Sequence, residues 1–229
     1  MLANREVCSS SGVDKKKHPD WVYQYELEEL ADNPKSRDMY GNNILHYAAS
    51  HNFYRSLWRY IAQGADVNAR GGNMNATPLH LSIVYFGKLG QKVSKQLLRC
   101  GADPNLPDIL GDTPLHLAAM KKDWIIARLL LAHGADPDKQ NDGGYTALMF
   151  VVCLPQTRIT KLLLSYRANP ELKTLNGLGP LYFSKPGSKI RTMLQKSIAG
   201  RQRSRWEKKP LRIEWIEGCV QAGRSEELK

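Results

Sequence analysis

The chain has 229 residues, 42% of them hydrophobic and 24% charged, with a formal net charge of +11; this composition suits one globular unit large enough to bury a continuous core. No run approaches the ~18 apolar residues of a membrane span, and the opening MLANREVCSSSG lacks the apolar core of a secretory signal, so the expected setting is cytoplasmic, with a nuclear one also open. Cys8, Cys100, Cys153 and Cys219 include no CxxC pair, which argues against a zinc site and a disulfide framework; Cys100 and Cys153 are expected to pack as small apolar side chains.

Residues 1–18 are polar, with Ser9–Ser11 and Lys15–Lys17, and read as a disordered N-terminus. Residues 19–37 read as a capping segment. Asp20 is placed to cap a helix from Trp21 to Ala31, whose Val22, Tyr23, Leu27 and Leu30 would cover the open end of the domain that begins at Asp38.

From Asp38 the sequence repeats itself. Leu45, Leu79, Leu115, Leu148 and Leu181 recur at spacings of 34, 36, 33 and 33, within NNILHYAA, ATPLHLSI, GDTPLHLAA, YTALMFVV and LGPLYFSK. A second signature comes after each of the first four: QGADVN, CGADPN, HGADPD and YRANPE. A period of this size marks a stack of supersecondary units. Within the unit, Thr113 is placed to cap a helix, and Pro114 fits the first helical position, where its missing N–H costs nothing. Leu115, Leu117, Ala118 and Ala119 give that helix a small apolar face. Ile125, Ile126, Leu129, Leu130 and Leu131 then form the stripe of a second helix, which Gly134 ends. Asp142, Gly143 and Gly144 suit a turn-forming finger between units.

The first repeat spans Asp38 to Ala69, with Asn43 in the capping place of Thr113. The second, Arg70 to Leu106, carries three extra residues around Lys88 to Lys92 and one in its GGNMN finger, all expected in surface loops. The third runs from Pro107 to Lys139. The fourth, Gln140 to Thr174, has Met149 where the others have histidine and Pro155 between its helices. The fifth, Leu175 to about Gln195, is the most degenerate and is expected to close the stack.

Two helices joined to a turn at this period, with TPLHLA, resemble the ankyrin repeat family. The resemblance covers residues 38–195. It implies an all-α ankyrin solenoid of stacked helix-turn-helix units with β-turn fingers. It also gives the recurrent His46, His80 and His116 a hydrogen-bonding role between neighbouring units rather than a metal-binding one. Because no HExxH, GxSxG or P-loop pattern occurs, no catalytic group, metal or cofactor is expected and the chain is read as a non-enzyme.

The resemblance further implies that partners dock on the concave face built from finger tips and first-helix ends. Register places Met39, Tyr40, Met74, Tyr85, Ile109, Leu110, Met120, Lys121, Tyr145 and Leu154 there, together with Ser50, His51, Val84 and Asp142. Either this apolar set forms a groove for a segment of another protein, or some of it folds inward to pack the fingers. The chain is expected to be monomeric on its own.

Residues 196–229 read as a basic tail. From Lys185 to Arg212 ten basic residues face one acid, Glu207. Arg201, Arg203, Arg205, Lys208 and Lys209 form its centre, readable as an import signal, a contact for acidic protein or phosphate, or a solvated helix. A nuclear factor binding acidic partners or nucleic acid through this tail is the alternative function. Nucleic acid ranks low because Trp206 stands alone. The segment NGLGPLYFSKPGSKIRTMLQK is similar to the last repeat of the IκB inhibitors, which implies capture of a transcription factor. GGNMNATPLH is similar to a segment of ankyrin-bearing palmitoyl transferases; without a DHHC motif, this chain shares at most their substrate-recruiting part.

Overall fold

A computed structural model describes residues 30–51, 55–85, 87–154 and 157–207. Residues 1–18, most of the capping segment, Pro155, Lys208, Lys209 and the rest of the tail lie outside the described residues.

The first helices of the repeats are α1 (Ile44–Ser50), α3 (Pro78–Tyr85), α5 (Pro114–Met120), α7 (Ala147–Val152) and α9 (Pro180–Phe183). Their partners are α2 (Leu57–Ala62), α4 (Gly87–Arg99), α6 (Trp124–Ala132), α8 (Thr157–Ser165) and α10 (Lys189–Glu207). Each first helix packs on the next, from α1 through α9, and α4, α6, α8 and α10 form a parallel outer row. Two isolated bridges, Gly71 to Ala76 and Gln140 to Thr146, are the only β pairing among the described residues. The result is the expected all-α stack.

The register leucines hold it together. Leu45, Leu79, Leu115 and Leu148 are fully buried, while Leu181 is only partly so, with no further repeat to cover it among the described residues. Of the second-helix stripe, Ile126, Leu130 and Leu131 are buried, while Ile125 and Leu129 are half-buried. Leu30, at the described end of the capping segment, joins the same core.

The insertion near Lys88 does not form a loop. It lengthens α4 to 13 residues, because buried Gly90, Val93 and Leu97 continue one helical stripe at spacings of three and four. Cys153 is likewise not packed as a small apolar side chain: it is exposed, and its thiol donates to the Phe150 carbonyl at 3.2 Å. Cys100 is half-buried. At the C-terminus, the expected boundary at residue 195 falls inside the continuous helix α10.

The histidines fasten neighbouring repeats. Nε2 of His46, His80 and His116 lies 3.1, 3.1 and 3.0 Å from the carbonyls of Ala76, Asp112 and Tyr145, all in the next repeat. A carbonyl only accepts, so Nε2 carries the proton and Nδ1 is left as an acceptor. Nδ1 then takes the backbone N–H of Asn43, Thr77 or Thr113 at 3.0 to 3.2 Å. In the fourth repeat Met149 removes this fastening, and the Thr146 hydroxyl is buried without a partner. Met149→His restores an acceptor for Thr146 and places a donor toward the Leu178 carbonyl. It is expected to stabilise the fold by about 1 kcal/mol, read as a raised denaturation midpoint; an unchanged or lowered midpoint contradicts this.

Candidate protein-binding face

Between repeats the chain forms fingers closed by a backbone hydrogen bond. Asp38, Asp108, Asn141 and Thr174 donate N–H to the carbonyls of Asn42, Asp112, Tyr145 and Leu178 at 2.8 to 3.0 Å. The finger between the first and second repeats is one residue longer, closing from Gly71 to Ala76, which is where the sequence carries its extra residue. Except at Gly71, the side chain at the base also holds its turn. Asp38 accepts from the Tyr40 and Asn42 amides at 2.8 and 2.7 Å, and Asp108 from those of Leu110 and Asp112 at 2.8 and 3.0 Å. Burial alone would raise the Asp38 carboxyl, but hydrogen bonds from Tyr47, Asn42 and Tyr40 outweigh it and leave it below the usual range.

Successive tips are tied together. Gly72 donates to the Tyr40 carbonyl, Ile109 to Met74, Asp142 to Leu110 and Leu175 to Gly143, at 2.9, 2.8, 3.1 and 3.2 Å. Five tips therefore form one ladder, and their side chains stand in a fixed row.

Met39 (82% exposed), Tyr40, Met74, Ile109 and Leu110 all project from this ladder into solvent, and Met120 and Lys121 stand exposed at the end of α5. Val84, at the end of α3, is also exposed. Tyr85 ends α3, and its side chain lies outside the described residues. A cleft of about 310 Å³ opens between the first two repeats, lined by His46, Tyr47, Ser50, Met74 and Leu81 among others.

Two of the expected residues lie elsewhere. Tyr145 is half-buried, its ring 5.6 Å from Phe150 and 5.8 Å from Phe183, so it packs a finger onto the first helices. Leu154 is half-buried in a separate cleft of about 380 Å³ with Lys185, Lys189 and Ile190.

Sequence reading missed Leu175 (80% exposed) and Tyr182 (70%). Leu175 occupies the register of Met39 and Ile109, and extending the finger pattern into the fifth repeat finds it. Tyr182 takes the register of the fastening histidines. With no following repeat among the described residues, it faces water.

The centre of the basic tail divides. Arg201 donates to the Arg167 carbonyl at the end of α8. That carbonyl occupies the register of Gly101 and Gly134, whose carbonyls accept from Asn68 and Asn105. Asp138 stands in the asparagine register here and has no donor to offer, so Arg201 closes the last interface. Arg191 similarly donates to the Leu181 and Ser184 carbonyls at 2.9 and 3.3 Å. The backbone of Arg203 and Arg205 is in α10, with side chains outside the described residues.

The ankyrin-repeat family profile, "Ankyrin repeats (3 copies)", matches residues 15–108 and 84–174. Among relatives, a putative palmitoyltransferase ZDHHC13 of Danio rerio is 38% identical over 102 residues, covering 44% of this chain and 15% of that protein. Protein PhlB of Serratia liquefaciens is 40% identical over 116 residues, covering 51% and 49%. Palmitoyltransferase ZDHHC13 of Homo sapiens is 39% identical over 93 residues, covering 41% and 14%. The chain thus spans about half of PhlB and a small part of the palmitoyltransferases. With a hydrogen-bonded finger ladder, histidine fastenings between repeats and a profile match running from residue 15 to 174, the chain belongs to the ankyrin repeat family.

Proposed function

We propose that this protein is a non-catalytic interaction module that captures an apolar segment of another protein along the finger ladder. The observation that carries this reading is the row of exposed large apolar side chains on tips whose backbones are tied to one another. Large apolar side chains held rigidly in water mark partner sites. Rigidity also lowers the entropic cost of docking, because the surface is already in its bound shape.

Candidate occupants come from the resemblances. The fifth repeat's likeness to the IκB inhibitors admits a transcription-factor segment, and the palmitoyltransferase relatives admit a segment of the kind their ankyrin regions recruit. The setting belonging to this reading is cytoplasmic or nuclear.

Affinity in such interfaces resides in a few anchors. Replacing Ile109, Leu110 and Met120 together by alanine is expected to weaken partner capture by at least about a hundredfold. The thermal midpoint should hold, since all three side chains are exposed. Capture at wild-type strength by the folded triple variant overturns the reading.

A further inference from the structure

Charge is sorted by element in this molecule. No acidic residue occurs in α1 through α9. The first helices carry no lysine, arginine, aspartate or glutamate, and the charged side chains of the second helices α2, α4, α6 and α8 are all basic. Between the capping segment and α8, the aspartates sit in fingers, turns and the cap of α6, where Asp123 holds the amides of Ile125 and Ile126 at 3.0 and 3.1 Å.

The cations of α4, α6 and α8 share one outward surface. On each helix the buried stripe (Val93 and Leu97, Ile126 and Leu130, Ile159 and Leu163) leaves the other side to exposed Lys95 and Arg99, Arg128, and Arg158 and Lys161. The three helices pack side by side. Trp124, at the start of α6 and 38% exposed, joins two of them. The Arg128 and Arg158 guanidiniums lie 5.6 and 5.8 Å from its ring centroid, so one indole draws together two cations that otherwise repel. This face lies away from the finger ladder, on the helices that the ladder does not use.

We infer that the outer-helix face docks on the surface of an anionic lipid bilayer. Charge complementarity supplies the attraction: five cations on three neighbouring helices with no acid among them meet a negatively charged plane. Each lysine or arginine near such a surface strengthens binding by about fivefold. Two features favour a bilayer over a nucleic acid. The exposed indole is amphipathic and suits the headgroup zone, and its ring is engaged by the protein's own guanidiniums rather than left for stacking a base. The broad row of helices also presents a surface rather than a channel that would track a phosphate strand.

The test is flotation of the full chain with vesicles of phosphatidylcholine alone, and with vesicles in which one lipid in four is phosphatidylserine. Retention is expected only on the second kind, and raising salt should release it, since screening shortens the reach of exposed charges to about 8 Å at physiological ionic strength. Combining Lys95→Gln, Arg128→Gln and Arg158→Gln should reduce retention by about a hundredfold with an unchanged helical circular dichroism signal. The Ile109→Ala, Leu110→Ala, Met120→Ala variant should float like wild type, which separates this inference from the finger-ladder reading. Wild-type retention indifferent to phosphatidylserine overturns the inference. So does full retention by the folded outer-face variant, or binding to a DNA duplex of matched charge with no retention on vesicles.

Discussion

Acidification from about pH 7 to about pH 4.5 is expected to remove roughly 2 kcal/mol of folding stability through His46, with His80 and His116 acting in the same direction. The cause is the row of histidine fastenings. Burial holds His46 well below its ordinary value of 6.5, at about 4, and burial lowers His80 and His116 in the same direction. Each must stay neutral to keep Nδ1 as an acceptor. In the unfolded chain the same histidines take up protons near 6.5, so between that value and the folded one the unfolded state binds more protons. Stability is therefore fully present above 6.5 and is lost as pH falls toward 4. His46 alone accounts for roughly 2 kcal/mol of the loss. Asp112 acts in the opposite sense: burial raises its carboxyl, with partial relief from the Asn141 amide at 2.8 Å, so its protonation at low pH favours the fold. The denaturant midpoint measured across this range should fall steadily, and His46→Gln should flatten the slope; a midpoint flat down to pH 4.5 would contradict the assignment.

The second large effect concerns the contact between the last two fingers. Gly144 sits at φ +77°, and a Cβ there would lie 2.7 Å from the Leu175 amide nitrogen and 2.9 Å from the Thr174 Cα. Both neighbours are backbone, so neither yields cheaply. Gly144→Ala combines about 1–2 kcal/mol of left-handed strain with about 1–3 kcal/mol of overpacking. It also pushes Leu175 away from its hydrogen bond to Gly143. Gly134 separates the two contributions, because it has φ +86° and nothing within 4 Å of its Cβ position. Gly134→Ala should cost only the strain. Equal losses for the two variants would show that the finger contact contributes nothing.

Much of this was legible in the residues. The leucine register, the asparagine substitute for the threonine cap and the fastening role of the histidines all follow from one repeat unit and its neighbours. The place of Tyr145 did not, because whether a finger residue points out or in depends on what the next repeat presents, here Phe150 and Phe183. The helical insertion near Lys88 was hidden by its glycines, which suggest a loop until Gly90 is seen to extend the buried stripe of Val93 and Leu97. Arg201 could not be separated from its basic neighbours either. Its structural duty arises only because Asp138, far away in sequence, lacks the donor its register calls for. The exposed Leu175 and Tyr182 follow from there being no further repeat beside them among the described residues.

In the proposed function, protein partners meet the finger ladder and not the outer helices. Site-specific photocrosslinking tests it most directly, with the photoreactive amino acid placed at Leu110 in one sample and at Arg99 in another. The finger-ladder account predicts a protein adduct from position 110 and none from position 99. A protein adduct from position 99, with position 110 silent, would contradict it.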